Sequence, residues 1–237
     1  MTKKKNVLMR SAGVLLALVL VTSCFVGSTF AKYTVGGRGD DTARVAKFGV
    51  TITATGATFA KEYATDTNNI VAAIANSVVS SDNDKLVAPG TKGNMTSVTI
   101  SGKPEVAVNV QYAATLTLND KWTLADGETF YCPLQIKVNT GDGNEVYCGL
   151  DYASADLFAQ AVQNAINGAS AQYPANTDLS GAVTPTVSWT WAYEGDNSPD
   201  HKVAQTDAND TYLGDQAAKG NAANIQLTVQ TTVTQID

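Results

Sequence analysis

Residues 106–118 constrain the fold more than any other stretch. Val106, Val108, Val110, Tyr112, Ala114, Leu116 and Leu118 occupy every second position, with mostly polar or small residues between them. Side chains alternate between the two faces of a strand, so one face of this run is built for a core. Such a strand needs a second apolar layer, which points to packed antiparallel sheets.

The same period recurs along the chain. Ala46, Phe48, Val50, Ile52 and Ala54 alternate, as do Thr96, Val98 and Ile100. Val187, Trp189, Trp191 and Tyr193 share one face of 183–193, and Ile225, Leu227, Val229 and Val233 form a last strand ending near Ile236. Two tryptophans at alternate positions read as core rather than as a sugar-binding platform. Shorter strands are expected at 57–64 and 130–138, the second with Leu134, Ile136 and Val138 on one face and Pro133 at an edge or bulge. At 68–81 a stripe of Ile70, Val71, Ile74, Val78 and Val79 would suit a helix, but the β-branched content favours strand. One helix is expected at 154–167. Ser154 is its N-cap, Leu157, Phe158, Ala161, Val162, Ala165 and Ile166 form its apolar stripe, and Gly168 takes the C′ position. The expected fold is therefore an all-β antiparallel sandwich with one inserted amphipathic helix, forming a single domain over 43–237.

The first 31 residues read as an export leader. Lys3, Lys4, Lys5 and Arg10 precede an uncharged, mostly apolar run, and Thr29 and Ala31 are the small residues that a signal peptidase inspects. Cleavage between Ala31 and Lys32 is expected, placing the product outside the cell or on its surface. Contact with the membrane is then confined to the uncleaved leader. An uncleaved anchor and lipid attachment at Cys24, within Val21-Thr22-Ser23-Cys24, stand as alternatives. The product would open with Lys32, Tyr33, Thr34 and Val35, a short β-forming segment. Gly36, Gly37 and Gly39 tether it to the domain, so 32–42 reads as a free strand on a hinge. Arg38-Gly39-Asp40 falls in this tether and is read as part of it.

Several motifs resemble one family. Thr-Phe-Ala-Lys-Tyr-Thr at 29–34, Ala-Arg-Val-Ala-Lys-Phe-Gly-Val at 43–50 and Val-Ala-Pro-Gly-Thr-Lys-Gly at 87–93 are similar to TasA/camelysin-type secreted proteins of bacteria. Pro-Glu-Val-Ala-Val at 104–108, Ser-Trp-Thr-Trp at 188–191 and Asp-Thr-Tyr-Leu-Gly at 210–214 follow in the same order. The resemblance implies a jelly-roll fold, export through a dedicated ER-type signal peptidase and assembly into biofilm fibres. An accessory or anchor protein would be a possible partner. Some relatives carry a peptidase label.

Residues 32–237 hold 12 basic and 22 acidic side chains, a net charge of −10. That balance argues against nucleic acid, whose phosphates need Lys and Arg, and makes subunits repel one another. Self-assembly must then come from specific strand contacts.

The catalytic inventory is thin. His201 is the only histidine, which excludes a His-Glu-x-x-His zinc helix, and no nucleophile elbow appears. It is expected to be a solvated residue in a polar loop at 194–210. Asp196, Asn197 and Asp200, or Asp207, Asn209 and Asp210, could chelate calcium, but neither set has EF-hand spacing and a solvated acidic loop is preferred. No catalytic, cofactor or metal residue is assigned. Cys132 and Cys148 are each eight residues from Thr140, so a symmetric hairpin would set them opposite and allow a disulfide; two reduced, buried thiols are the alternative. The expected function is a non-enzymatic structural subunit that polymerises head to tail, its donor segment at Lys32, Tyr33, Thr34 and Val35. A monomeric adhesin or carbohydrate-binding module is the alternative, and a secreted peptidase is third.

Overall fold

The computed structural model describes residues 44–55, 59–63, 78–82, 84–141, 143–193 and 198–236. The secondary structure of the described residues lies in the unit Ala46–Asp237. In chain order its elements are β1 (Val50–Thr55), β2 (Glu62–Tyr63), β3 (Val78–Val79), β4 (Lys92–Gly102), β5 (Val108–Leu118), β6 (Leu134–Asn139), β7 (Asn144–Cys148), α1 (Ala155–Asn167), β8 (Ala171–Tyr173), β9 (Thr186–Trp191), α2 (Asp207–Ala218) and β10 (Ile225–Gln235). The fold is mainly β, and among the described residues no sheet closes into a barrel. One antiparallel sheet has the order β1-β4-β9-β6-β7, a second has β10-β5-β8, and β2 pairs with β3.

The long alternating run becomes β5. Val108, Val110, Tyr112, Ala114 and Leu116 point inward and are at most 8% exposed. Inward residues of both larger sheets join one buried cluster: Val98 and Ile100 from β4, Leu134, Ile136 and Val138 from β6, and Val187, Trp189 and Trp191 from β9. Full burial of each such side chain stabilises the fold by about 1.5–3 kcal/mol. Tyr193 departs from the expected face: it lies beyond β9 and is 61% exposed. Pro133 sits just before β6, where its missing N–H leaves the ladder intact.

α1 forms where expected. Ser154 Oγ accepts from Leu157 N at 3.3 Å. Phe158, Ala159, Val162 and Ile166 are its buried residues, whereas Leu157 is 51% exposed. Gly168 has φ −62°, so the helix ends without the left-handed turn expected of a C′ glycine.

α2 corrects the reading of a polar loop through residue 210. Thr206 Oγ1 accepts from Asn209 N at 3.2 Å and caps it. Only Asp210 and Leu213 are buried on α2, so there is no apolar stripe for periodicity to reveal. Asp210 ties the helix to the core: its carboxylate accepts from Tyr131 Oη at 2.5 Å, Gln205 Nε2 at 2.9 Å and Trp191 Nε1 at 3.2 Å. The acidic set 207, 209 and 210 is thus a helix start with one carboxylate turned inward, not a chelating loop. Asp196 and Asn197, of the other calcium set, lie outside the described residues.

The β6–β7 hairpin corrects a register. Asn139 pairs with Asn144 and Gln135 with Cys148, so the turn is centred beyond Thr140 and Cys148 does not face Cys132. Both cysteines are reduced and buried. Burial pushes the Cys132 thiol well above the ordinary range, with the neighbouring Cys148 adding to the shift.

Candidate functional site

The feature that bears most on function is a sheet edge. β5 has two sides, and they are finished differently. Next to β8 the ladder covers only Val108, Asn109 and Val110. Beyond that, side chains from α1 and its C-terminal end take over. Ser170 Oγ accepts from Tyr112 N at 3.0 Å, Asn167 Oδ1 from Ala114 N at 2.8 Å and Gln163 Oε1 from Leu116 N at 3.3 Å. Every second amide is thereby satisfied without a strand.

On its other side β5 pairs with all eleven residues of β10. Tyr112, Ala114 and Leu116 face away from β10, so their partners Thr231, Val229 and Leu227 occupy non-hydrogen-bonded positions. The N–H and C=O groups of those three residues consequently point outward from the sheet. Among the described residues, no strand pairs with that side of β10.

The chemistry of β10 suits an acceptor. Its sequence Ile-Gln-Leu-Thr-Val-Gln-Thr-Thr-Val-Thr-Gln holds no charge or proline, two of the usual means of blunting an edge. Inward Ile225, Leu227, Val229 and Val233 are only half-buried, whereas Leu116, Ala114 and Val110 of β5, beside the last three, are sealed. An additional strand would complete their burial. An open cleft of about 880 Å³ lies at the start of β10, with Phe59, Leu86, Leu118, Ile225 and Leu227 among its lining residues. The edges of the five-stranded sheet are shorter: β1 has six residues, and β7 has five including the exposed Glu145.

The residues expected to form the donor segment, Lys32, Tyr33, Thr34 and Val35, lie outside the described residues, as do Thr29, Ala31 and Cys24. No helix among the described residues is long and apolar enough to cross a membrane. Trp189 and Trp191 are 1% and 4% exposed, which removes them as a sugar platform.

His201 is not solvated. Its side chain is 5% exposed, and its Nδ1 lies 2.6 Å from Asp151 Oδ1. A ligand atom of each of Cys148, Asp151 and His201 lies within 4.8 Å of the others. This cluster joins residues far apart in sequence, and no motif spacing announces it. No family model, curated protein or solved structure matches the chain.

Proposed function

We propose that this chain is a secreted structural subunit that polymerises by donor-strand exchange into extracellular matrix fibres, on a jelly-roll-like sandwich. The supporting observation is the outer side of β10: eleven uncharged residues, outward backbone groups at Leu227, Val229 and Thr231, and a half-buried inward face. Segment 32–35 of one subunit pairs along this edge in the next, with backbone hydrogen bonds giving affinity and Tyr33 and Val35 filling the adjoining cleft. Each subunit offers one donor and one acceptor, so the contact is head to tail, and it builds filaments where successive rotations do not close a ring.

The charge pattern is compatible with this assembly: residues 32–237 carry a net −10, and β10 itself adds no charge to the contact. Export supplies the timing: before cleavage after Ala31, the donor remains fused to the apolar leader. The motifs resembling TasA/camelysin-type proteins agree with this reading.

Electron microscopy with light scattering of residues 32–237, beside 39–237, tests the donor. Filaments from the first and monomers from the second are expected. Two equally monodisperse samples, or filaments from both, would remove 32–38 as the donor.

A further inference from the structure

We infer that Cys148, Asp151 and His201 form a zinc site that clamps the loop 198–206 to the end of β7. Three donors converge there from two segments, and fibre assembly plays no part in it.

The first segment supplies two of them by local geometry. Cys148 ends β7 and caps the 3₁₀ turn Gly149–Asp151, with Asp151 three residues on. Cys148 is extended and the three residues after it make one tight turn, which carries the Asp151 carboxylate back to the neighbourhood of the thiol. Gly149, between them, accepts no side chain. A Cβ there would collide with the Cys132 carbonyl oxygen and stand 3.0 Å from its Sγ. The turn is therefore pressed against Cys132, whose thiol is not among the three donors.

The second segment supplies His201, and the backbone holds it in place. Lys202 N donates to Leu150 O at 2.7 Å, joining the residue after the histidine to the turn between Cys148 and Asp151. His201 N also donates to Ser198 O at 3.2 Å. The imidazole approaches the turn on a fixed path, so little ordering is left for a metal to impose.

The donor set selects the ion. A thiolate, an imidazole and a carboxylate make a borderline-soft N/S/O set that suits Zn²⁺, whereas Ca²⁺ and Mg²⁺ take oxygen cages. Cys148 is 6% exposed and the His201 side chain 5%, but the Asp151 side chain is 38% exposed. The site thus has two buried ligands and one facing solvent, with access for the ion and for a water as fourth ligand. Binding releases the thiol proton to solvent, while the proton held between His201 Nδ1 and Asp151 passes to Nε2, so the ring ligates as neutral imidazole. That pair would open from 2.6 Å to about 3.4 Å, the separation of nitrogen and oxygen ligands on tetrahedral zinc.

The test uses the full chain in detergent under reducing conditions, with Cys24→Ser in every sample to remove the leader thiol. Cobalt(II) is titrated first, because thiolate ligation gives it a charge-transfer absorption. The expected band saturates at about one equivalent, is bleached by zinc and survives Cys132→Ser. It disappears in Cys148→Ser and His201→Ala. Asp151→Asn, at the most exposed ligand, keeps the fold and weakens zinc binding by more than about tenfold in calorimetry. Zinc at a hundredfold excess over its Kd raises Tm by about 5–10 °C. Absence of a saturable band, or equal zinc affinity in the parent and Asp151→Asn proteins, would overturn the site.

Discussion

The side chain of Thr231 suits its position poorly. It sits on the inward face of β10 between Val229 and Val233, and its Oγ1 is buried with no hydrogen-bond partner among the described residues. A buried hydroxyl left unpaired costs about 1–3 kcal/mol. Thr231→Val keeps the shape and β preference and removes that cost, so it is expected to raise stability by about 1 kcal/mol in denaturant unfolding. A loss of stability would mean that the hydroxyl has a partner. Gly149 makes the opposite prediction. Gly149→Ala places a methyl group against the Cys132 backbone, which cannot rotate away. Overpacking of this kind costs about 1–3 kcal/mol, read as a lower denaturant midpoint with an unchanged slope. Nothing in the run Cys148-Gly149-Leu150 announces this constraint, because the atom that creates it belongs to Cys132. His201 shows the same limit. A histidine in a Pro- and Asp-rich stretch reads as solvated until the fold brings Asp151 to its ring.

At the level of elements, strong periods were legible and long-range contacts were not. β5, β9, β10 and α1 emerge near their expected positions because alternation or a helical stripe marks their buried faces. β8 is three residues long, and α2 buries two side chains, so neither leaves a pattern. The β6–β7 register shifted because the turn, not symmetry about Thr140, decides which residues pair. The contrast between the two sides of β5 was equally invisible, since Gln163 and Asn167 are polar positions outside the apolar stripe of α1 and Ser170 follows the helix. Asp210 carries the prediction at this scale. Asp210→Ala leaves Tyr131, Trp191 and Gln205 with unmet donors in the core and detaches α2. The expected loss is about 3–5 kcal/mol by denaturant unfolding, and a loss below about 1 kcal/mol would show that the network is dispensable.

The whole molecule adds a pH dependence and the proposed assembly. Tyr112 lies in the core and donates to Val183 O at 2.9 Å. Burial, with the Tyr173 phenol adding to it, pushes its pKa up to about 12. An unfolded tyrosine titrates near 10. Below that pH both states keep the proton and the contribution to stability is complete. Between about pH 10 and 12 the unfolded chain ionises first, so stability falls on the order of 1.4 kcal/mol per pH unit from this group. Alkaline unfolding followed by tyrosine absorbance is expected to steepen in that window and to flatten in Tyr112→Phe. Equal slopes in the two proteins would contradict the assignment.

In the proposed assembly β10 is the acceptor, and this strand permits a selective test. The Val229 N–H points away from β5, so Val229→Pro removes a donor from the open edge without breaking a β5–β10 hydrogen bond. The measurement is filament formation by residues 32–237 with and without this substitution, followed by electron microscopy on samples whose fold is checked by circular dichroism. Filaments from the parent, and a folded monomer from Val229→Pro, are the predicted result. Filaments of equal yield from a folded Val229→Pro protein would contradict the claim that β10 receives the donor strand.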